Sequence, residues 1–368
     1  MDLIRTIGDR ARIARGGAIL QSSSNPPPIL QSSHPPILQP GYNHGVAVLK
    51  VRGLQVAFGA TKILHGVDFD LEAGQTLGIV GESGCGKSIT GFTIMGMLPP
   101  PGRIVAGSIK LEGRELVGIK EREYRKIRGE EIALVMQDPF TSLNPMMPAG
   151  AQIAEALWLH QSMGKHAAMV KAVELLDLVG VPAPESSARK YPHQMSGGQR
   201  QRVVIAMAFA CKPKVLIADE PTTALDVTLQ AQILRLIREL QEKEGTAVML
   251  ISHDIGAIAS ISSRIAVFYA GRIVETGPAA DVLQQAAMPY TRALLNALPQ
   301  PGKKKLESIS GQPPDLAHLP IGCPFSPRCP LRFDKCVEQP PLAPVAPDHV
   351  SACWKADAVR VEGMRTAD

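Results

Sequence analysis

Apolar positions recur along this chain in two rhythms. Val48 to Phe58 and Ile63 to Leu71 mix β-branched and aromatic residues and close on Gly59 and Gly74, which predicts two strands of an antiparallel sheet. Thr76 to Val80, Ile132 to Met136, Val215 to Ala218, Ala247 to Ile251 and Ile265 to Tyr269 are short and almost wholly apolar, the pattern of strands buried on both faces. Between them the period lengthens. Ser88 to Leu98 predicts a helix, and residues 148–210 carry helical spacing, for example at Ile153, Ala156 and Leu157 and again at Val170, Val173 and Leu176. Val227 to about Lys243 is rich in strong helix formers. The alternation implies an α/β core around a largely parallel sheet, with an antiparallel β subdomain before it and a helical insertion over about residues 140–212.

Two stretches break this rhythm. Residues 1–45 repeat Ile-Leu-Gln at 19–21, 29–31 and 37–39 between proline clusters, which predicts a flexible Pro/Ser-rich tail. Beyond the main domain, 46–300, the segment 301–368 begins with Gly302 and Lys303 to Lys305 and is rich in proline and cysteine over 311–353, which predicts a loop-built C-terminal module. A length of 368 residues allows this division, since single cores stop growing at roughly 250–300 residues.

Charge changes the picture little. The net charge of +5 is dispersed, with no basic run longer than Lys303 to Lys305, so a nucleic-acid footprint is not expected. No apolar run approaches the roughly eighteen residues of a membrane span. Asp2, Arg5, Asp9 and Arg10 occupy the N-terminus without a compact apolar region, so the expectation is a cytosolic chain with reduced thiols.

Candidate chemistry collects at the ends of the apolar runs. Gly81-Glu82-Ser83-Gly84-Cys85-Gly86-Lys87-Ser88 matches the phosphate loop GxxxxGK[ST], follows the run Thr76 to Val80 and opens a helix. Its glycines let backbone N–H groups turn toward phosphate oxygens; Lys87 would reach the β and γ phosphates, and Ser88 would ligate Mg²⁺. Cys85 faces phosphate through its backbone and is a plausible target for thiol reagents. Asp219-Glu220 ends another apolar run: Asp219 is suited to hold Mg²⁺ and Glu220 to act as general base. His253 and Gln137 also end strands, where each is either a functional group or an ordinary cap or turn residue. Ser196-Gly197-Gly198-Gln199 is a second glycine-bearing loop at a helix mouth.

In this order and approximate spacing, the phosphate loop, Gln137, Met195 to Gln199, Asp219-Glu220, Leu225-Asp226 and His253 resemble the ATP-binding-cassette (ABC) transporter ATPases over residues 48 to about 290. The resemblance implies a P-loop NTPase cassette that hydrolyses ATP with Mg²⁺. It implies that Phe58 stacks on adenine, that Gly81 to Ser88 with Ile89 and Asp226 belong to the nucleotide site, that Gln137 senses Mg²⁺ and the membrane partner, and that His253 contacts the γ phosphate. Ser196, Gly197, Gly198 and Gln199 would bind the γ phosphate held by an opposite subunit. Met195 stands where leucine is usual, and Thr223 where serine is common.

Gln137 to Pro145, Tyr191 to Gln194 and Pro289 to Leu294 are similar to the dipeptide and oligopeptide permease ATPases, whose neighbours include nickel and glutathione importers. That branch implies a peripheral protein on the cytoplasmic side of the membrane. Its partners would be a second ABC ATPase subunit, same or paralogous, two transmembrane permease subunits and an extracytoplasmic peptide-binding protein. The contrasting class is a soluble ABC-type nucleic-acid clamp, disfavoured by the single cassette and the lack of heptads. Cys323, Cys329, Cys336 and Cys353, spaced C-x5-C-x6-C-x16-C, lack the tight pair of zinc sites. A [4Fe-4S] cluster is the expectation, with zinc or reduced thiols as alternatives.

Overall fold

The computed structural model of the chain describes residues 47–223, 225–298 and 309–365. The repeated phrase of residues 1–45 and the basic run Lys303 to Lys305 lie outside these residues. Two sheets organise the described part. The first is antiparallel, in the order β2-β1-β4-β5, from β1 (Ala47–Phe58), β2 (Thr61–Glu72), β4 (Gly102–Leu111) and β5 (Arg114–Glu115). The second has eight strands: β11 (Ala343–Ala346), β12 (His349–Ser351), β10 (Arg272–Pro278), β9 (Arg264–Tyr269), β3 (Thr76–Val80), β8 (Ala247–Ser252), β7 (Val215–Asp219) and β6 (Ile132–Val135), in that order across the sheet. Its core pairs β6 (Ile132–Val135), β7 (Val215–Asp219), β8 (Ala247–Ser252), β3 (Thr76–Val80) and β9 (Arg264–Tyr269) in parallel.

Alternation along the parallel strands explains why both faces are covered. Leu77, Ile79, Ile217, Met249, Ile251 and Phe268 pack with the antiparallel sheet. Their neighbours Val80, Leu216, Ala218, Leu250 and Val267 pack with the helices Ala149–His160, Lys165–Leu178 and Gly197–Phe209. Every residue of β3, β7 and β8 is buried, which is why these strands read as unbroken apolar runs.

Two local features depart from the sequence expectation. The helix after the phosphate loop spans Lys87–Ile94, stopping short of Leu98. Gly96 turns the chain at φ 61, and the prolines 99–101 cannot continue a helix. Residues 102–111 form β4, paired with β1 from Leu49↔Leu111 to Phe58↔Gly102.

At the other end, β10 (Arg272–Pro278) runs antiparallel to β9, and β12 (His349–Ser351) adds to β10, followed by β11 (Ala343–Ala346). A fully buried pair fastens this edge: His349 Nε2 lies 2.7 Å from Glu275 Oε1, and the Glu275 carboxylate also accepts from the N–H groups of Ala287 and Met288. The C-terminal stretch is thereby laid along the main sheet.

Candidate functional site

Gly81 to Ser88 bridge β3 and the helix Lys87–Ile94 at the C-terminal edge of the parallel strands, where open α/β sheets place ligands. Only glycine fits at two of these positions. A Cβ on Gly81 (φ 153) would sit 2.3 Å from the Phe268 carbonyl oxygen, and one on Gly86 (φ 106) 2.7 Å from Leu64. No side chain caps the helix that follows, so its first N–H groups remain available to an anion. Lys87 is buried, and its Nζ donates to the carbonyls of Gly81 at 2.6 Å and Glu82 at 3.0 Å, placing the ammonium across the mouth of the loop. Cys85 is not the reactive thiol its position suggested. It is buried, and desolvation outweighs the charge of Lys87 to push its pKa up.

The fit to Mg²⁺ rests on two oxygen donors. Ser88 Oγ donates to Asp219 Oδ1 at 2.9 Å, joining the end of β7 to the phosphate-loop helix. Burial is the largest influence on the Asp219 carboxyl and raises it from 3.8 to about 6; the Glu220 charge adds to this, while Ser88 and Lys87 oppose it. A buried carboxylate short of positive charge beside a hydroxyl is a hard donor set of the kind Mg²⁺ takes.

Glu220, the next residue, holds a left-handed φ of 48, an uncommon conformation for a residue with a side chain. It is held there by the bond from its N–H to the Ile251 carbonyl at 2.8 Å. The turn aims its carboxylate into a ring of donors: Gln137 Nε2 at 3.0 Å and Thr223 Oγ1 at 2.8 Å on one oxygen, with His253 Nδ1 at 3.1 Å from the other. Burial would raise this carboxyl, but the bonds from Thr223 and His253, with the charges of His253 and Lys87, hold it below its usual value. An ionised carboxylate between a histidine and an amide can orient a water and take its proton. Three strand ends far apart in sequence thus meet at one carboxylate. Thr223 is the member that sequence reasoning noted only as a substitution.

The remaining residues fall in two places. Phe58 ends β1, half-buried, and with Glu82, Ser83, Gly84 and Cys85 lines a cavity of about 520 Å³ beside the phosphate loop. Ile89 packs under the antiparallel sheet. Elsewhere, Ser196 caps the thirteen-residue helix Gly197–Phe209 in a reciprocal box with Gln199: Ser196 Oγ accepts from the Gln199 N–H, and Gln199 Oε1 from the Ser196 N–H. Asp226 caps the helix Val227–Glu244 through the Leu229 N–H. Among the described residues no hydrogen bond or ion pair joins Ser196 to Gln199 with the phosphate loop.

The expected [4Fe-4S] cluster is overturned. Among the described residues no group of three or more His, Cys, Asp or Glu is arranged to hold a metal ion, and all six cysteines are free. Cys323, Cys329, Cys336 and Cys353 border a cavity of about 20 Å³, room for about one water. Burial raises the thiols of Cys323, Cys329 and Cys353, the last to about 11. The staple that a Pro-rich segment needs is aromatic instead. Phe325 packs edge-on against Tyr269 at 5.3 Å and tilted against Tyr290 at 5.4 Å, while Lys335 covers Trp354 and Lys355 covers Phe333.

The Asp219 shift has a measurable sign. A carboxyl whose folded pKa is raised contributes stability that is complete below 3.8 and lost as the pH climbs through about 6. Without nucleotide or metal, Asp219→Asn keeps an acceptor for Ser88 and removes the buried charge. It is expected to exceed the parent chain in stability by up to about 3 kcal/mol near neutral pH, with the gap narrowing by about half near pH 5. Melting in a chelator at several pH values checks this; a constant gap would contradict it.

Sequence comparison places these features in a family. The ABC transporter model matches residues 64–223, and the oligopeptide/dipeptide transporter C-terminal region matches residues 274–336. The chain is 48% identical over 314 residues to the oligopeptide transport ATP-binding protein OppD of Salmonella typhimurium, covering 84% of this chain and 93% of that one. It is 46% identical over 318 residues to the dipeptide transport ATP-binding protein DppD of Bacillus subtilis, covering 84% and 95%. A dimeric ATP-binding cassette solved in a post-hydrolysis state with ADP and Pi superposes with a TM-score of 0.55 at 27% identity, covering 63% of this chain and 98% of that one. With the phosphate loop and the paired carboxylates inside the span matched by the cassette model, and residues 274–336 matched by the C-terminal region, the chain belongs to the ABC transporter family, among its oligopeptide and dipeptide transport ATP-binding proteins.

Proposed function

We propose that this chain is the ATP-hydrolysing subunit that energises import of di- and oligopeptides through a membrane ABC transporter. The ring of Gln137, Thr223 and His253 around Glu220, one residue beyond the Ser88–Asp219 contact, carries the hydrolytic part of this reading. Likeness to peptide-transport subunits through both the cassette and the C-terminal region carries the transport part.

In this reading the Gly81 to Ser88 backbone and Lys87 bind the triphosphate, Ile89 supports the loop from beneath, and Phe58 packs on the base. Ser88, Asp219 and Gln137 are the residues that would hold Mg²⁺, which when bound supplies positive charge against the phosphate oxygens. Glu220 accepts the proton of the attacking water at a carboxylate oxygen, and His253 and Gln137 orient that carboxylate and the terminal phosphate. Ser196 to Gln199 offer the N-terminus of the helix Gly197–Phe209 to the γ phosphate held by a second ATPase subunit, same or paralogous, with Asp226 beside that contact. Closure on ATP and reopening after hydrolysis drive alternating access in two permease subunits, and an extracytoplasmic binding protein delivers the peptide.

No helix among the described residues is long and apolar enough to cross a membrane. In this reading attachment on the cytoplasmic side is through partners, and an apolar surface is available for it. Phe140, Met146, Trp158 and Leu159 are all exposed on the helical region and the segment after Gln137. The test is to purify the tagged full chain with its membrane partners, reconstitute them in vesicles and measure ATP hydrolysis. Di- or oligopeptide with binding protein should raise the rate several-fold; stimulation by nickel or glutathione alone would refute peptide as the cargo.

A further inference from the structure

The cavity beside the phosphate loop has two unlike walls. One is the cassette's own: Phe58 and Ile63 from the antiparallel sheet, with Ser83 and Cys85 along the floor. The other comes from some 250 residues further along the chain, where Pro313, Leu316 and His318 close the opposite side. At about 520 Å³ the space lies within the roughly 300–1,000 Å³ of small-molecule sites.

This second wall is a built turn. Asp315 accepts from the Ala317 N–H at 2.9 Å and from His318 Nδ1 at 3.0 Å, and the His318 N–H donates to the Asp315 carbonyl. Leu316 packs back onto both hydrophobic cores. A clamp then fixes the segment to the phosphate loop. The Arg328 side chain, 5% exposed, donates to both carboxylate oxygens of Glu82, at 2.6 and 2.9 Å, and through Nε to the Ser310 carbonyl at 2.8 Å. Such a two-pronged pair fixes orientation as well as distance. The Glu82 N–H is held separately, by Tyr290 Oη at 2.9 Å. The loop and the wall therefore share one anchor.

We propose that residues 313–318 are the second wall of the nucleoside site, so that the base of a bound nucleoside triphosphate lies between Phe58 and Leu316 with the Asp315–His318 pair at its polar rim. This rests on the reading of the phosphate loop as an ATP site. The cassette alone presents one apolar face to the base; the C-terminal segment supplies the other and sequesters the base from water. Its contribution falls on the nucleoside, because the segment shares this cavity with Phe58, and neither Lys87 nor Ser88 borders it.

The experiment titrates the full-length chain with ATP and, separately, with inorganic tripolyphosphate, which carries the phosphates and no base. In Leu316→Ala/His318→Ala the ATP dissociation constant should rise about tenfold, while that for tripolyphosphate stays within about twofold. Tripolyphosphate binding also reports that the double variant is folded. Unchanged ATP affinity would show that the wall does not touch the base, and equal weakening of both ligands would place the effect on the loop; either overturns the proposal. Wild-type protein that binds ATP no tighter than tripolyphosphate also overturns it while leaving the phosphate site standing. Wild-type protein that binds neither sinks the nucleotide reading itself.

Discussion

Glu220→Gln is expected to lower ATP turnover by roughly 10²–10⁴-fold, the range for loss of a positioned general base, while ATP affinity should stay within about twofold. The substitution is nearly isosteric, and Gln keeps a carbonyl oxygen to accept from Thr223 or Gln137, whose bonds to Glu220 are 2.8 and 3.0 Å. It also inherits the left-handed backbone, which is fastened to Ile251 through the main chain. What disappears is the charge that faces His253 and accepts a proton. Chains that bind ATP without cleaving it should remain associated, eluting as a dimer in ATP and as a monomer in ADP. Phosphate release and gel filtration measure both effects. Turnover near that of the parent chain would remove Glu220 from the role.

Gly197→Asp and Lys87→Ala should each abolish hydrolysis alone, by about 10²-fold or more, and recover it when mixed. Among the described residues a Cβ at Gly197 meets only Leu225, at 3.8 Å, so the fold has room. A carboxylate in the first turn even favours the helix. It also puts a negative charge where a phosphate from the opposing chain would bind. Lys87→Ala instead removes the cation held by the Gly81 and Glu82 carbonyls. One mixed pairing of the two variants joins an intact phosphate loop to an intact Ser196 to Gln199 loop. With random pairing in a symmetric dimer, about a quarter of the parent rate returns. A mixture as dead as its components would show that the two loops do not share a nucleotide.

Much of this was legible because the chemistry is local. The strands β3, β7 and β8 are buried at every residue, so each announced itself as an apolar run. The polar residue closing each run then had to emerge at one sheet edge, and Asp219, Glu220 and His253 do so together. Strand β4 was missed since its burial is partial and Gly107 interrupts it at φ 102. The cysteine spacing misled for a physical reason. Sequence proximity showed that four thiols could gather, but their arrangement is set by tertiary packing, and among the described residues they border a cavity of about 20 Å³ without forming a metal-holding group. Thr223 illustrates a smaller gap: its hydroxyl reaches Glu220 only because Glu220 takes a left-handed turn, which no neighbouring residue type demands.

By itself the sequence determined the phosphate loop, the alternation of strands and helices, and the family, all of which follow from short-range pattern and residue type. Only the tertiary structure decided how Glu220 is surrounded, that among the described residues the four C-terminal cysteines form no metal-holding group, and that Arg328 and residues 313–318 reach the phosphate loop from the far end of the chain. These are contacts between segments up to 246 residues apart. Their partners are chosen by how the sheet edge at β10 and β12 folds back the C-terminal stretch, and no local period along the chain encodes that choice.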